Sequence, residues 1–464
     1  MFDLIQINDT LFSFIYNFIM LKIISSKAKH IHSLSPRYFF AKATKTEYID
    51  PNHCKLMIVG GGYSGMIAAA HIPRITSIGK YEMKLFDSQS FVSYTPSQDL
   101  LPFNIRTKDE IEKPILSVMN DTTSLEFVEV EKINPENDSL MTIENKQYSY
   151  DYLVLAAGLV PNYSKVRGLE EALKDRDCPV ITTATYADIE KCQKEMELFY
   201  TGKILVYNDR KAKNYHSGLN VAMLFDEYLR NRKGGGLRSM SEFSYITNDS
   251  SVLPYINYSI KLKNILLEKQ INFDNSSFEL VEIDKDSRKA TFIDLNTQKK
   301  VEKDFDLLFV NPEYQLPHIL SNLATKDGYL DIDSTTLVHN QHKNIFALGH
   351  CARAKNSIVT AKSILEQSLT MTANIELTLA AATNNSVPDK YARYSELNEI
   401  PFFTGDNKCL LAELDPMRPD LMKEPSKMDF MKEVYINPKI YFSLLTQGVW
   451  FGDTKFKVPK FHVQ

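Results

Sequence analysis

Apolar positions in this chain fall into short continuous runs separated by longer amphipathic stretches. The runs KLMIVG (55–60), YEMKLFD (81–87) and GKILVYN (202–208) predict buried strands. SLEFVEVEKI (124–133) and QYSYDYLVLAAG (147–158) read as further strands, the latter stopped by Gly158. Helical spacing follows the first strand in GGYSGMIAAAHI and recurs at Tyr186–Leu198, at Leu219–Arg230 and around Ile256–Lys269. Strands near Ser244–Thr247, Phe278–Ile283 and Ala290–Ile293 complete a second α/β unit, and DLLFVNP (306–312) is expected to lead back to the first. A last short strand, Ile345–Leu348, runs into a turn at Gly349. Beyond about residue 386 the chain is rich in Pro and aromatic residues and only weakly periodic. Strands alternating with helices of this length predict parallel sheets.

Composition narrows the picture a little. A chain of 464 residues is long enough for two or three domains, and its net charge of -4 gives no general pull toward nucleic acid. Five cysteines (Cys54, Cys178, Cys192, Cys351, Cys409) are scattered without a CxxC pair. That argues against a disulfide framework and a zinc site, and suits a reducing compartment. Cys178, in KDRDCPV, is the one placed in a loop where a thiol could react. From Met20 to Thr46 there are six Lys/Arg and no acid, the composition of a mitochondrial transit peptide, with RYFFA (37–41) resembling a processing site. The apolar run Leu11–Leu21 before it is too short for a confident span. It reads as a retained anchor, as a stretch upstream of a second start at Met20, or as part of a disordered leader.

The chemistry-bearing motif is the glycine turn Gly60-Gly61-Gly62-Tyr63-Ser64-Gly65, a G-x-G-x-x-G between a strand and a helix with Asp87 ending the next strand. Gly60 makes the tight turn, Gly62 lets the backbone approach a pyrophosphate, and Gly65 brings the helix close to the strand. The helix amino terminus supplies amide donors, and Asp87 a ribose acceptor. This is dinucleotide-binding ancestry; an inherited turn whose nucleotide has been lost remains the competing reading.

The order of motifs resembles eukaryotic mitochondrial sulfide:quinone oxidoreductase. The resemblance rests on MIVGGGYSGMIAAA, YDYLVLAAGLVPNY (151–164), GYLDIDSTTLVHNQHKNIFALGHC (328–351) and TGDNKCLLAELD (404–415). It implies FAD bound through Gly60, Gly62, Gly65 and Asp87, with Val130 beside the adenine and Ala157, Gly158 and Gly349 in the second and third flavin-side turns. Where such flavoproteins carry Gly-Asp, this chain has Gly349-His350, and a following Lys-Thr pair falls on Ile358-Val359. The two redox cysteines expected from the family fall on Asn214 and Ile400. Sulfide oxidation by that route needs a disulfide to attack and a thiolate to form, which neither residue supplies. A second G-x-G-x-x-G after GKILVYN is missing, and the GGG at 234–236 follows a helix, so NAD(P) is not expected. His350 and His216 read as structural, and no catalytic or metal-ligating residue is assigned.

The fold expected is therefore α/β: two Rossmann-like, glutathione-reductase-type dinucleotide-binding domains, the second inserted in the first, plus a docking tail. The boundaries are 1–50 for targeting or extension, 51–168 and 306–385 for the first domain, 169–305 for the second and 386–464 for the tail. In the tail, Ile440, Phe442, Leu444 and Leu445 cover a broad apolar face suited to a bilayer interface, or to packing on the protein core or on a partner protein. The function expected is a degenerate relative without sulfide-oxidising cysteines. It would be an accessory subunit of a mitochondrial inner-membrane respiratory-type complex, with other inner-membrane proteins as partners. The alternative is an active FAD-dependent quinone oxidoreductase with another donor. Between them lies a protein that holds only a nucleotide, structurally.

Overall fold

The computed structural model describes residues 50–452, apart from 80, 233–235, 254, 274–276, 354–357, 396–397 and 415–421. The leader, its processing site and its apolar run lie outside the described residues, as does most of the 234–236 glycine triplet. The described residues from Asn52 onward form one unit.

Strand β1 (His53–Val59) is buried along almost its whole length, and so must be apolar on both faces. Parallel neighbours flank it: β2 (Met83–Asp87), itself beside β3 (Ser124–Phe127), and β6 (Gln147–Leu155). The run at 124–133 breaks at Val128-Glu129, so its second half, β4 (Val130–Asn134), pairs instead with β5 (Ser139–Thr142) in an antiparallel meander. The long β6 holds β5 along its first residues and β15 (Ile345–Ala347) along its last. Helix α1 (Tyr63–Ile75) is buried from Tyr63 to Ile72, because β1 lies on one side and α5 (Ala361–Ala382) on the other.

The second sheet is all parallel, in the order β7 (Val180–Ile181), β14 (Leu307–Asn311), β8 (Lys203–Asn208), β9 (Glu242–Thr247), β10 (Asn272–Phe273). Helices α2 (Tyr186–Leu198), α3 (Ser217–Asn231) and α4 (Ile256–Glu268) connect its strands, and β11 (Phe278–Asp284), β12 (Lys289–Asp294) and β13 (Lys300–Asp304) form an antiparallel flap. Here the expected boundary at 306 moves. DLLFVNP supplies β14, wedged between β7 and β8, so the chain leaves the second domain only after Asn311. The reason is burial: all five β14 residues are buried, as a central strand requires.

The tail is more ordered than its weak periodicity suggests. β16 (Asn398–Gly405) and β17 (Lys408–Leu414) form a hairpin, followed by α6 (Lys427–Met431) and a continuous helical stretch to Leu445 with two π-type turns. The hairpin fills the second domain's core through Ile400, Phe402, Leu410 and Ala412. The broad apolar face points inward: Leu444 and Leu445 are buried, and Ile440 and Phe442 pack half-buried on the first domain's core. His71 of α1 fastens the end of the tail. Its Nε2–H donates to the Trp450 carbonyl, which can only accept, and its Nδ1 receives the Ser368 hydroxyl, each at 3.1 Å.

Candidate functional site

The glycine turn has the geometry its spacing implies. Gly60 sits at φ 104°, and a Cβ there would lie 2.6 Å from the Ala156 carbonyl oxygen. A Cβ on Gly65 would run into the Gly60 carbonyl, so α1 can approach β1 only with glycine at that position. Gly62 caps α1 and has open space where its Cβ would be. It thus presents the unpaired amides of a helix amino terminus to a ligand. Asp87 is committed to the turn: its Oδ2 accepts from Gly61 N at 2.5 Å and its Oδ1 from Gln89 N at 2.6 Å, while burial pushes its carboxyl up from the usual range. Ala157 and Gly158 (φ 70°) follow β6 beside Gly60. Val130 is buried at the head of β4 in the first domain's core. Gly349 (φ 77°) packs on the first turn of α1, its missing Cβ facing Ser64 Oγ, and its amide donates to Gln367 Oε1 at 2.8 Å.

Beyond this turn the site changes character. Tyr63, the first residue of α1, stacks on Tyr441 of the tail with ring centroids 4.5 Å apart and planes 18° apart. Tyr94 meets both rings, at 5.8 Å and 5.7 Å. Tyr441 is fully buried. A cavity of about 100 Å³ remains beside this cluster, walled by Tyr63, Asn214, His216, His350, Pro401 and Glu433 among others. The adenosine-diphosphate half of FAD fits the open face at Gly62. The cavity beside the cluster is narrow next to the roughly 300–1,000 Å³ of sites that bury drug-sized molecules.

Both positions expected for redox cysteines converge here, and neither brings sulfur. Asn214 lines the cavity; Ile400 is fully buried and turned into the second domain's core, while its strand neighbours Glu399 and Pro401 face the cavity. All five cysteines are free and buried, and none lines the cavity. Burial pushes the Cys351 thiol up to about 11 and the Cys54 thiol up to about 12. Cys178, placed by the sequence in a reactive loop, is also buried with its pKa raised, so it is an inert small hydrophobe.

Sequence reasoning missed the tyrosine cluster and Glu433. Glu433 is buried, accepts from Asn437 Nδ2 at 2.9 Å, and is pushed by burial up to about 7. The signal available was Tyr63 itself, a large ring at a position whose backbone faces a ligand. Among the described residues there is no cluster of side chains able to hold a metal, and no helix long and apolar enough to cross a membrane.

No family model matches the chain. The mitochondrial sulfide:quinone oxidoreductase of Schizosaccharomyces pombe is 27% identical over 91% of this chain and 97% of its own length. Among solved structures, the sulfide:quinone oxidoreductase of Aquifex aeolicus aligns with 86% of this chain and 92% of its own, at TM-score 0.73 and 18% identity. A chain in the structure of the Tetrahymena thermophila mitochondrial ATP synthase F1Fo tetramer aligns over its full length with 89% of this one, at TM-score 0.69 and 20% identity. The resemblance read from the motifs therefore stands over nine-tenths of the chain, and the two-dinucleotide-domain fold with it. The likeness to mitochondrial relatives supports a mitochondrial location.

Proposed function

We propose that this sulfide:quinone oxidoreductase-like chain no longer oxidises sulfide and serves as a structural subunit of a mitochondrial inner-membrane assembly. The observation that carries this reading is the sulfur-free cavity. Asn214, Glu399 and Pro401 stand where a thiol pair would have to face a flavin, and the Tyr63–Tyr441–Tyr94 cluster occupies the space beside them. FAD, when bound, supplies a two-electron acceptor. Here the chain's own residues offer a diphosphate the open face at Gly62 but bring no thiolate to the cavity to deliver electrons. The assembly part draws support from precedent, since a chain of this fold is part of the Tetrahymena ATP synthase tetramer. Other inner-membrane proteins are the partners under this reading, and quinone is not among the ligands.

The test is native separation of mitochondrial membranes opened with mild detergent, following the tagged chain. Migration with a large complex, with no flavin absorbance in the purified chain, is the expected result. A free, monodisperse chain refutes the subunit role. The second reading, an FAD-dependent quinone oxidoreductase with another donor, rests on the intact turn at Gly60–Gly65 and its open face. It predicts a yellow preparation, bleached by its donor and restored by a quinone.

A further inference from the structure

The tail brings the chain back to the cavity at the point where the described residues stop. His71 Nε2 holds the Trp450 carbonyl at 3.1 Å, and the His71 ring stacks on Phe451 with centroids 5.0 Å apart. Trp450 and Gly452 both line the cavity, and a Cβ on Gly452 would lie 3.6 Å from Leu365, another lining residue. The residue after Gly452 therefore starts at the cavity wall. The sequence continues as DTKFKVPKFHVQ (453–464), all outside the described residues. An extended chain covers about 3.3–3.6 Å per residue, so Phe456 can reach roughly 14 Å beyond Gly452.

The lining calls for an uncharged occupant that both donates and accepts. Among the described residues, Nδ1 of His216 and Nδ1 of His350 are buried without a hydrogen-bond partner, and both rings line the cavity. Burial holds His216 below the usual imidazole range against the pull of Asp99. Burial first, then Lys213, Arg353 and His216, hold His350 well below it. Both rings are therefore neutral, each with one donor and one acceptor nitrogen. A peptide group meets such nitrogens with its N–H or its C=O alike, and leaving them unmet is costly. Ile364, Leu365, Leu411 and Leu445 add apolar wall. At the rim Ile440 and Trp450 are half-buried, and Glu399 is loosely paired, 3.9 Å from Lys362. A space of about 100 Å³ holds a few waters or one inserted side chain.

We propose that the cavity receives the chain's own segment after Gly452, with Phe456 inserted and Lys455 and Lys457 left at the rim beside Glu399. The stretch Lys455-Phe456-Lys457 suits that lining part by part. Its ring meets the apolar wall, its peptide groups meet the two imidazoles, and its ammonium groups stay in water near a carboxylate. The contact closes the centre of the molecule from within. It rests on the structural reading above in one respect, that no redox cofactor claims the cavity.

Trp450 is the only tryptophan of the chain, so its fluorescence, excited apart from the tyrosines, reports on the rim. The test compares the full-length chain with its Phe456→Asp and Phe461→Asp variants by emission maximum, acrylamide quenching and melting. Phe456→Asp puts a charge where the ring inserts. It raises the quenching constant at least threefold and shifts emission to the red, whereas Phe461→Asp changes neither and all three proteins melt alike. A synthetic peptide of residues 453–464 added to the Phe456→Asp chain restores protection, and the same peptide carrying Phe456→Asp does not. Quenching that Phe456→Asp leaves unchanged overturns the proposal, as does an equal rise from Phe461→Asp or a peptide that restores nothing. Protection of Trp450 that appears only on adding phosphatidylcholine–cardiolipin vesicles overturns it too, and assigns the rim to a bilayer. None of these results bears on migration with a large assembly or on flavin content, which test the structural reading separately.

Discussion

Two glycines of the same turn separate fold from ligand. Gly60 is locked by its positive φ and by the Ala156 carbonyl, whereas nothing stands within 4 Å of where a Gly62 Cβ would be. Gly60→Ala should therefore cost roughly 2–4 kcal/mol, strain and clash together, in denaturant unfolding. Gly62→Ala should leave stability nearly unchanged while blocking close approach of a diphosphate. Equal losses from both would contradict the geometry. Glu433 carries a second prediction. Its folded pKa, about 7, lies above the ordinary 4.5, so its favourable contribution is full below pH 4.5 and is lost as pH rises through 7. Glu433→Gln has no such loss and can still accept from Asn437. The variant should gain up to roughly 3 kcal/mol over the natural protein at pH 8 relative to pH 4.5, read from melts at the two values. At this scale the sequence was legible where backbone conformation dictates the residue, as at Gly60, Gly65 and Gly349. It was silent where side chains from opposite ends of the chain meet, as with Tyr63 and Tyr441.

At the scale of elements, strand and helix identity followed from apolar spacing, and α2 begins and ends where the charged pattern does, at Tyr186 and Leu198. Strand partnership did not follow. DLLFVNP carries no mark of which sheet will take it, because β14 is buried on both faces in either place. Likewise the apolar face of the tail fits a bilayer or a core equally well until α1 and the β16–β17 hairpin supply the core. Docking of that tail depends on one neutral histidine. Burial lowers His71 to about 4 from 6.5, so the folded state binds the proton less readily than the unfolded chain. The stability it sustains is full above pH 6.5 and is lost as pH falls toward 4, up to roughly 3 kcal/mol. Hydrogen-exchange protection of Tyr441–Trp450, corrected for intrinsic rates, should fall over that interval. Protection that stays flat from pH 6.5 to 4 would contradict the role given to His71.

The molecule as a whole keeps the architecture of a two-dinucleotide-domain flavoprotein, and no cysteine lines its cavity. The frame was legible because strands, helices and the glycine turn are local patterns, and four motifs in order fix their connection. The centre was legible only by subtraction, as Asn214 and Ile400 at the positions where the resemblance implies sulfur. The tyrosine cluster found there joins Tyr63, Tyr94 and Tyr441 from three separate segments and carries no motif of its own. Among the described residues no helix is long and apolar enough to cross a membrane. The central claim, that sulfide electrons cannot enter this protein, has a direct measurement. The full-length chain is purified from mitochondrial membranes, sulfide is added without oxygen, a ubiquinone analogue follows, and visible absorbance and quinone reduction are recorded throughout. The account predicts no bleaching and no quinone reduction above the rate of sulfide alone. A flavin band that bleaches with sulfide and returns with quinone would contradict it.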